Sequence, residues 1–495
     1  MWQQSRISRT PALKQIELEM SRADSYATWF ELAASHDHAT GADLWRKTDK
    51  SRLYDDASIG LRLKKLRRLR KKGDDHGLLF ALNEGIHGNM AGMGQAKLYQ
   101  RAKCGTKELI EDYIREICDA LDYLSPRDFA GIPWADRVEF FQRASHCYGR
   151  SALMLSGGGT LGYFHFGVLK ALIEQRLCPA VISGASAGAF VAAVVGTRTD
   201  EEYLRLFEDD YLARALTANR GKIKIGFGNS DKIDMRVIKR GMANLIPDMT
   251  FLEAFEATGR SINITISPAE PRQNSRLLNH IASPNVTILS AVLASSALPG
   301  VFPSVQLEAR NVHGKVQPYL PSRRWIDGSF SQDLPARRLA RMYGVNHFMV
   351  SQVMPGLGRE PSLRPGIRKI ASDASVAATK EVVRGLLGLI QRYIAVGPKT
   401  GVAMNAFNAL IDQRYTADIN IFPDYGMASL KSLLKMLTLE EMAELISAGE
   451  RATWPRIPVI SATTSIGRTL DGILRAFEAE EMDWLKHMRK TALLA

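Results

Sequence analysis

Three short motifs in the middle of the chain carry the kinds of group that acyl transfer needs. SGGGTLG begins at Ser156 with three glycines following it, GASAG holds Ser186 between small residues, and WIDGS holds Asp327. A serine hydroxyl becomes a nucleophile when a base removes its proton, and backbone amides can stabilise the oxyanion that its attack creates. The three motifs together therefore indicate acyl-ester chemistry.

The GASAG segment matches the G-x-S-x-G pattern of a nucleophile at a strand-to-helix turn. The apolar residues before it predict a strand, and AGAFVAAVVG (187–196) predicts a helix directly after it. Gly184 and Gly188 let the chain turn sharply, so that the hydroxyl projects above the start of the helix. We therefore predict that Ser186 is a nucleophile.

The glycine loop has a second interpretation, because with Gly162 it also spells G-x-G-x-x-G, which can bind a dinucleotide pyrophosphate. Such a site needs a carboxylate near the end of the second strand to bind the ribose. The segment SGASAG occupies that position and contains none. We therefore predict an oxyanion hole made by the amides of Gly157, Gly158, Gly159 and Ala187.

The base has two candidates. Asp327 ends the strand candidate RRWID (323–327) and precedes Gly328, so it could meet Ser186 at the carboxyl edge of a sheet. The alternative is a Ser–His–Asp triad, for which the chain after the serine offers His280, His313, His347 and His487. None of these lies in a glycine-rich loop; His347 follows a strand pattern and His487 a helical one.

Two further histidines belong to motifs. His165, in GYFHFG, lies one turn into the helix after the glycine loop, where we predict that it supports the loop and does not act as a base. HATGAD, from His38 to Asp43, matches the H-x-x-x-x-D pattern of glycerolipid acyltransferases. With ten histidines in the chain, one chance match to that pattern is unsurprising.

The elements that must position these groups alternate between strand and helix. Strands are predicted at SALMLS (151–156), AVISGAS (180–186), SINITIS (261–267), RRWID and NHFMVSQV (346–353), and helices at 162–176, 187–196 and 333–344. The alternation predicts an α/β fold with a mostly parallel sheet flanked by helices. We expect a helical, basic N-terminal domain over 1–150, the catalytic domain over 151–350, and a mostly helical region over 351–495 that completes or covers it.

The composition is that of a globular protein. Of the 495 residues, 45% are hydrophobic and 24% are charged, and no apolar run is long enough to cross a membrane. The first 20 residues lack the apolar segment of a signal peptide, and the four cysteines lack the C-x-x-C spacing of a zinc site. We therefore expect a cytoplasmic protein with no metal site and no cofactor.

The net charge of +13 favours an acidic surface as partner, and one segment concentrates this charge. In IGLRLKKLRRLRKK (59–72), Ile59, Leu63, Leu66 and Leu69 form one helical face, and Lys64, Lys65, Arg67 and Arg68 are among the cations between them. Such a helix could lie on an anionic lipid surface, or it could pack its leucines on the N-terminal domain and leave its charges in solvent. Nucleic acid is disfavoured because no reading module accompanies the charge.

In this order, GGGTLG, GASAG and DGS resemble the signature of patatin-like phospholipases, and AVLASSALPGVFPSV (291–305) is similar to the stretch before their aspartate. The resemblance implies a patatin-like fold and a Ser–Asp dyad that hydrolyses lipid acyl esters without a histidine. Carried over, it makes Ser186 the nucleophile and Asp327 the base. Ser329 stands where a glycine is commoner in the family.

Segments outside the motifs, among them YATWFELAASHDHATGADLWRKTDKSRLYD, resemble a subgroup of intracellular triacylglycerol lipases with a helical domain before the patatin domain. This resemblance implies a glycerolipid substrate, either triacylglycerol or phospholipid, and a peripheral association with a membrane or lipid-droplet surface. A catalytically silent lipid-surface scaffold remains the alternative from another class. Homo-oligomerisation is compatible with the sequence but not indicated by it.

Overall fold

The computed structural model describes residues 11–86, 88–126, 129, 131–217, 235–270, 273–298, 302–328, 334–353, 417–423 and 437–494. The chain divides into two compact units. The first unit comprises Met1–Arg150 and Trp454–Ala495, and the second comprises Ser151–Thr453. The predicted helical region between residues 354 and 416 lies outside the described residues.

The helices, in chain order, are α1 (Pro11–Arg22), α2 (Tyr26–Thr40), α3 (Ala42–Lys47), α4 (Asp56–Lys72), α5 (Asp75–Asn83), α6 (Glu108–Leu124), α7 (Trp134–Tyr148), α8 (Tyr163–Glu174), α9 (Ala187–Gly196), α10 (Asp200–Leu204), α11 (Tyr211–Thr217), α12 (Met235–Ala243), α13 (Phe251–Thr258), α14 (Ile288–Ser295), α15 (Ala336–Tyr343), α16 (Leu439–Thr453) and α17 (Ile457–Leu494). The strands are β1 (Arg150–Leu155), β2 (Val181–Gly184), β3 (Ser261–Pro268), β4 (Arg276–Leu278), β5 (Leu307–Arg310), β6 (Val316–Tyr319), β7 (Trp325–Asp327), β8 (Val345–Ser351) and β9 (Ile419–Ile421).

The second unit is built on a seven-stranded sheet with the order β4-β3-β2-β1-β8-β9, in which β7 also pairs with β3. β1, β2 and β3 are parallel neighbours, as are β8 and β9, whereas β4 and β7 run antiparallel to β3. β5 and β6 form a separate hairpin. The predicted α/β fold with a mostly parallel sheet is confirmed. The short antiparallel strand β4 and the hairpin were not predicted.

Helices cover both faces of the sheet. α9 packs so closely on one face that a Cβ on Gly196 would collide with Ile262. α15 covers the other face, where Leu339 and Tyr343 pack with Ala152. Successive residues of a strand point to opposite faces of the sheet, so every second side chain of a strand lies on the α9 face and those between lie on the α15 face.

The first unit is helical and has a core of its own. Ile59, Leu63, Leu66 and Leu69 of α4 are buried in it, beside residues of α6 and α7. The last helix joins the same core through Ile466, Leu470, Ile473 and Phe477. The leucine face of the basic helix therefore packs inside the protein, as the second of its two sequence interpretations expected. Among the described helices, none combines the length and the apolarity that crossing a bilayer requires.

Candidate active site

Ser186 lies at the turn between β2 and α9, as the G-x-S-x-G pattern predicted. Its φ of 51° and ψ of −120° are strained for a residue with a Cβ, at a cost of roughly 1–3 kcal/mol. A Cβ on Gly184 would collide with the carbonyl of Gly188, and a Cβ on Gly188 would collide with the carbonyl of Leu155, so the close packing of the turn requires both glycines. The side chain of Ser186 is partly exposed at the tip of this turn.

Asp327 reaches the same place along a different strand. Gly184, the last residue of β2, pairs with Ile264 on β3, while Asp327, the last residue of β7, pairs with Ile266. β4 pairs with the other edge of β3 at both Ile264 and Ile266. β7 therefore pairs with the same edge of β3 as β2 does, directly beyond the point where β2 ends. The ends of β2 and β7 therefore face each other about 7 Å apart along β3.

The side chain of Asp327 lies on the same face of the sheet as α9. Residues paired across two strands project from one face, so Asp327 projects from the same face as its partner Ile266. Ile266 lies four residues after Ile262, so both point to the face that contacts α9. Asp327 is buried, and its amide donates to the carbonyl of Ala297 at 3.1 Å. Because β7 is antiparallel, the carboxylate approaches the end of β2 from the opposite direction. It does not stand beside the serine at the end of a parallel strand.

The glycine loop follows β1 and lies against the start of α9. β1 is in register with β2, with Leu155 paired to Gly184, so the two strands end side by side. A Cβ on Gly162 would lie 2.6 Å from that of Ala187, which shows how closely the loop approaches the serine turn. Within the described part of the chain, the amides of Gly158, Gly159 and Ala187 have no hydrogen-bond acceptor. They are donors that an anion above the serine could use.

His165 is fully buried beneath the glycine loop. Its Nε2 lies 3.0 Å from the carbonyl oxygen of Ser156, and its Nδ1 lies 2.7 Å from Oγ of Ser351. A carbonyl can only accept, so Nε2 carries the proton and Nδ1 accepts from the hydroxyl. Burial lowers the pKa of His165 to about 4, which keeps the ring neutral near pH 7. This position matches the loop-supporting role predicted for it, and that role stays a prediction.

Ser295 is a residue of the site that sequence reasoning missed. Its hydroxyl accepts the backbone N–H of Ser186 at 2.9 Å and donates to the carbonyl of Thr265 at 2.8 Å. It lies at the end of α14, inside the segment AVLASSALPG, and is fully buried. The only signal in the sequence was a pair of adjacent serines within an apolar run.

Gly328 lies buried directly after Asp327, and residues 299–301 and 329–333 fall outside the described ranges.

The histidines of the alternative triad lie elsewhere. Nδ1 of His347 is 3.1 Å from Oγ of Ser151, at the amino end of β1 and thus on the order of 15 Å from the serine turn. Burial lowers the pKa of His347. His280 stacks on Phe255 with ring centroids 3.9 Å apart, and His313 is exposed in the β5–β6 hairpin. His487 belongs to α17, in a stretch whose side chains are not described.

The H-x-x-x-x-D pair lies in the first unit. Nδ1 of His38 is 2.9 Å from Oδ2 of Asp43, across the end of α2, and the imidazole is 85% exposed. The hydrogen bond to the His38 ring lowers the pKa of Asp43. In the described segments of both units, no group of three or more His, Cys, Asp or Glu side chains is arranged to hold a metal ion.

Comparison with known proteins identifies the family of this chain. A family model for patatin-like phospholipases matches residues 153–340, and one for a domain of unknown function, DUF3336, matches residues 6–146. Triacylglycerol lipase ptl3 of Schizosaccharomyces pombe is 32% identical over 461 residues, which are 90% of this chain and 94% of that protein. The chain belongs to the patatin-like phospholipase family, as its motifs predicted.

Two further relatives are longer than this chain. Triacylglycerol lipase 4 of Saccharomyces cerevisiae is 33% identical over 467 residues, which are 89% of this chain and 51% of that protein. Triacylglycerol lipase SDP1L of Arabidopsis thaliana is 29% identical over 95% of this chain and 59% of its own. The chain therefore spans about half to three-fifths of the length of these two relatives.

Proposed function

We propose that this protein is a lipid acyl hydrolase that cleaves fatty-acyl esters of glycerolipids with a Ser186–Asp327 dyad. The observation that carries the proposal is the register on β3, which brings the end of the aspartate strand to the end of the serine strand. The strained serine turn supports the same assignment, as do the neighbouring amides of Gly158, Gly159 and Ala187, which have no acceptor among the described residues. The relatives named as triacylglycerol lipases support a neutral glycerolipid as one substrate, and the phospholipase family supports phospholipid as another.

The reaction would proceed in two steps. The carboxylate of Asp327 takes the proton from Oγ of Ser186, and the oxygen attacks the ester carbonyl carbon. The amides of the glycine loop and of Ala187 hold the oxyanion, each worth about 3 kcal/mol of barrier. The intermediate collapses when the leaving alcohol takes the proton from Asp327. Water, deprotonated by the same carboxylate, then attacks the serine ester, and Asp327 returns the proton to Oγ of Ser186 as the fatty acid leaves.

The test compares Ser186→Ala, Asp327→Asn and, as a matched control, His347→Gln. Both dyad variants should lose roughly 10⁴-fold in kcat/KM on triolein and phosphatidylcholine while remaining folded by circular dichroism. His347→Gln should retain activity, because that ring lies at the other end of the sheet. Loss in His347→Gln with survival in Asp327→Asn would favour the triad and contradict the dyad.

A fluorophosphonate probe separates the hydrolase from the silent scaffold. The wild-type serine should be labelled within minutes at Ser186, as located by peptide mass, and Asp327→Asn should react far more slowly. A wild-type protein that binds lipid vesicles but shows no labelling would contradict the hydrolase proposal. A panel of triacylglycerol, phosphatidylcholine, phosphatidylglycerol and lysophospholipid would then identify the preferred ester.

We further propose that α4 brings the protein to an anionic lipid surface through the cations of its exposed face. Lys64, Lys65 and Arg68 are exposed, whereas Arg67 lies 3.2 Å from Asp112 and so contributes less. The face formed by Ile59, Leu63, Leu66 and Leu69 is buried and unavailable to lipid, whereas Leu61 is 70% exposed on the face that carries the cations. Each exposed cation near such a surface is worth about 1 kcal/mol at moderate salt.

Reversing all three exposed charges to Glu should weaken flotation with phosphatidylserine vesicles by at least about tenfold. The control reverses Lys14, Arg22 and Lys47, which are exposed on α1 and α3 and give the same change in net charge. Equal loss in both triple variants would mean that only the total charge matters. That result would contradict a role for this helix.

A further inference from the structure

A cleft lies in the unit that holds the serine, at the β4 edge of the sheet. Its volume is about 370 Å³, and it is bounded by β4, the turn that follows β4, and α15. Its polar lining residues are three arginines and three residues that carry hydroxyls: Arg276, Arg338, Arg341, Ser275, Ser283 and Tyr319. A cleft with three cationic residues and no carboxylate among the described residues that line it has the charge of an anion site.

Two of the arginines are held in place before any ligand arrives. Nη2 of Arg338 donates to the carbonyl oxygen of Ser275 at 2.7 Å and lies 3.2 Å from its hydroxyl. The guanidinium of Arg276 lies 5.3 Å from the ring centroid of Trp325, a cation–π contact. Burial lowers the pKa of Arg338, so its charge is partly desolvated. Arg341 lies one residue before Met342 on α15 and is exposed at the rim.

None of the three arginines forms an ion pair with a carboxylate within the described ranges. Other arginines of the same unit do so: Arg310 pairs with Asp248 and Glu253, and Arg260 pairs with Asp200. Three like charges in one cleft repel one another when no anion is present. The cluster is therefore electrostatically incomplete as it stands.

We propose that this cleft binds a phosphate monoester. Arginine presents a planar fork of donors that matches phosphate oxygens bidentately, and a phosphate monoester carries close to two negative charges at pH 7. The hydroxyls of Ser275 and Ser283 add donors, and Leu278 and Met342 offer an apolar wall for the carbon atoms next to the phosphate. The phosphate could belong to a soluble organic phosphate or to the head group of a lipid such as phosphatidate.

The cleft is distinct from the proposed acyl site. Arg276 and Asp327 pair with the same residue, Ile266, from opposite edges of β3, so their side chains project from the same face of the sheet but start about two strand spacings, roughly 10 Å, apart. α15, which forms one wall of the cleft, covers the face of the sheet opposite to α9. Binding in the cleft therefore does not require a competent dyad, and the proposal stands whether or not Ser186 hydrolyses esters.

The experiment uses the full chain carrying Ser186→Ala, so that no lipid is consumed. Glycerol phosphate is titrated by calorimetry at fixed ionic strength, and phosphatidate vesicles are compared with phosphatidylcholine vesicles by flotation. The test variants add Arg276→Gln and Arg341→Gln, singly and together. The matched control is Arg337→Gln, an exposed arginine on the same helix that does not line the cleft.

We expect the double variant to lose at least about tenfold in affinity for the phosphate, whereas Arg337→Gln matches the parent. Arginine-dependent binding of glycerol phosphate would identify a soluble ligand as sufficient, and arginine-dependent binding of phosphatidate vesicles alone would identify the lipid head group. The proposal is overturned if the parent binds neither probe, or if the double variant and the Arg337→Gln control weaken binding equally.

Discussion

Ser186 depends on a neighbour that no motif marks. The hydroxyl of Ser295 bridges the serine amide and the carbonyl of Thr265, and so ties the nucleophile turn to β3. β3 is also the strand on which Asp327 is registered. One buried hydroxyl therefore couples the position of the proposed nucleophile to that of its proposed base.

Replacing Ser295 with Ala should lower kcat roughly 10- to 100-fold and leave KM little changed. The site would still bind substrate, but the displaced hydroxyl of Ser186 would attack the ester poorly. The matched control is Ser290→Ala, which removes another buried hydroxyl of α14, one bonded to Thr287 and Glu308. Both variants should lose about 1–3 kcal/mol of unfolding free energy. Equal kcat values for the two variants would show that Ser295 has only a structural role.

The buried His165 predicts an acid-sensitive fold. Its pKa is about 4 in the folded state against an ordinary value of 6.5, so the unfolded chain binds the proton more tightly. The stabilisation is complete above pH 6.5 and is lost as the pH falls towards 4. Between pH 7.5 and pH 5 the unfolding free energy should fall by about 2 kcal/mol from this residue.

Urea unfolding at the two pH values measures this effect when the wild type is compared with His165→Gln. The variant should be less stable at pH 7.5, but its stability should change less on acidification. His313→Gln, which removes an exposed histidine of the β5–β6 hairpin, should behave as the wild type does. A pH response in His165→Gln as steep as that of the wild type would refute the assignment.

At the scale of elements, the sequence predicted the helices and strands around the site well because their patterns are strong. The helix predicted over 187–196 has those bounds in α9, and SINITIS became β3. α9 is almost entirely apolar and mostly buried, and β3 alternates isoleucine with polar residues, so each has a clear pattern in the sequence. β4 is three residues long and carries an arginine, and a strand that short has no periodicity to detect.

The direction of β7 could not be read from its own residues. RRWID contains the same information whether it pairs in parallel or antiparallel, because direction depends on how residues 269–324 return the chain to the sheet. Likewise, the pattern of α4 predicted one apolar face but not its partner. The partner is the core beside α6, which only the folded first unit supplies.

At the scale of the whole molecule, the first unit draws on both ends of the described chain. The ring of Phe477 on α17 lies 4.3 Å from that of Trp134 and 5.5 Å from that of Phe141, measured between centroids. The sequence alone predicts this last helix to be part of the mostly helical region over 351–495 that completes or covers the catalytic domain. Nothing in its amphipathic pattern indicated that it would pack with residues more than 300 positions earlier.

Phe477→Ala should therefore destabilise the first unit by about 3–5 kcal/mol, the usual cost of emptying a buried aromatic site. Hydrogen exchange should show protection lost in α6 and α7, while β1, β2 and β3 keep theirs. Phe80→Ala is the matched control, since Phe80 belongs to the same unit but is 59% exposed. Loss of protection spread equally over both units would contradict the division.

This division also orders events during synthesis. A ribosome makes α1 to α7 first, yet Ile466, Leu470 and Phe477 emerge only after all of residues 151–453 have been translated. At a typical elongation rate, on the order of 15–60 seconds pass between synthesis of the early helices and synthesis of the segment that completes the burial of their leucines. The nascent chain thus exposes a hydrophobic surface during the whole time in which the strands of the sheet are being translated. We expect chaperones to bind the chain at that surface.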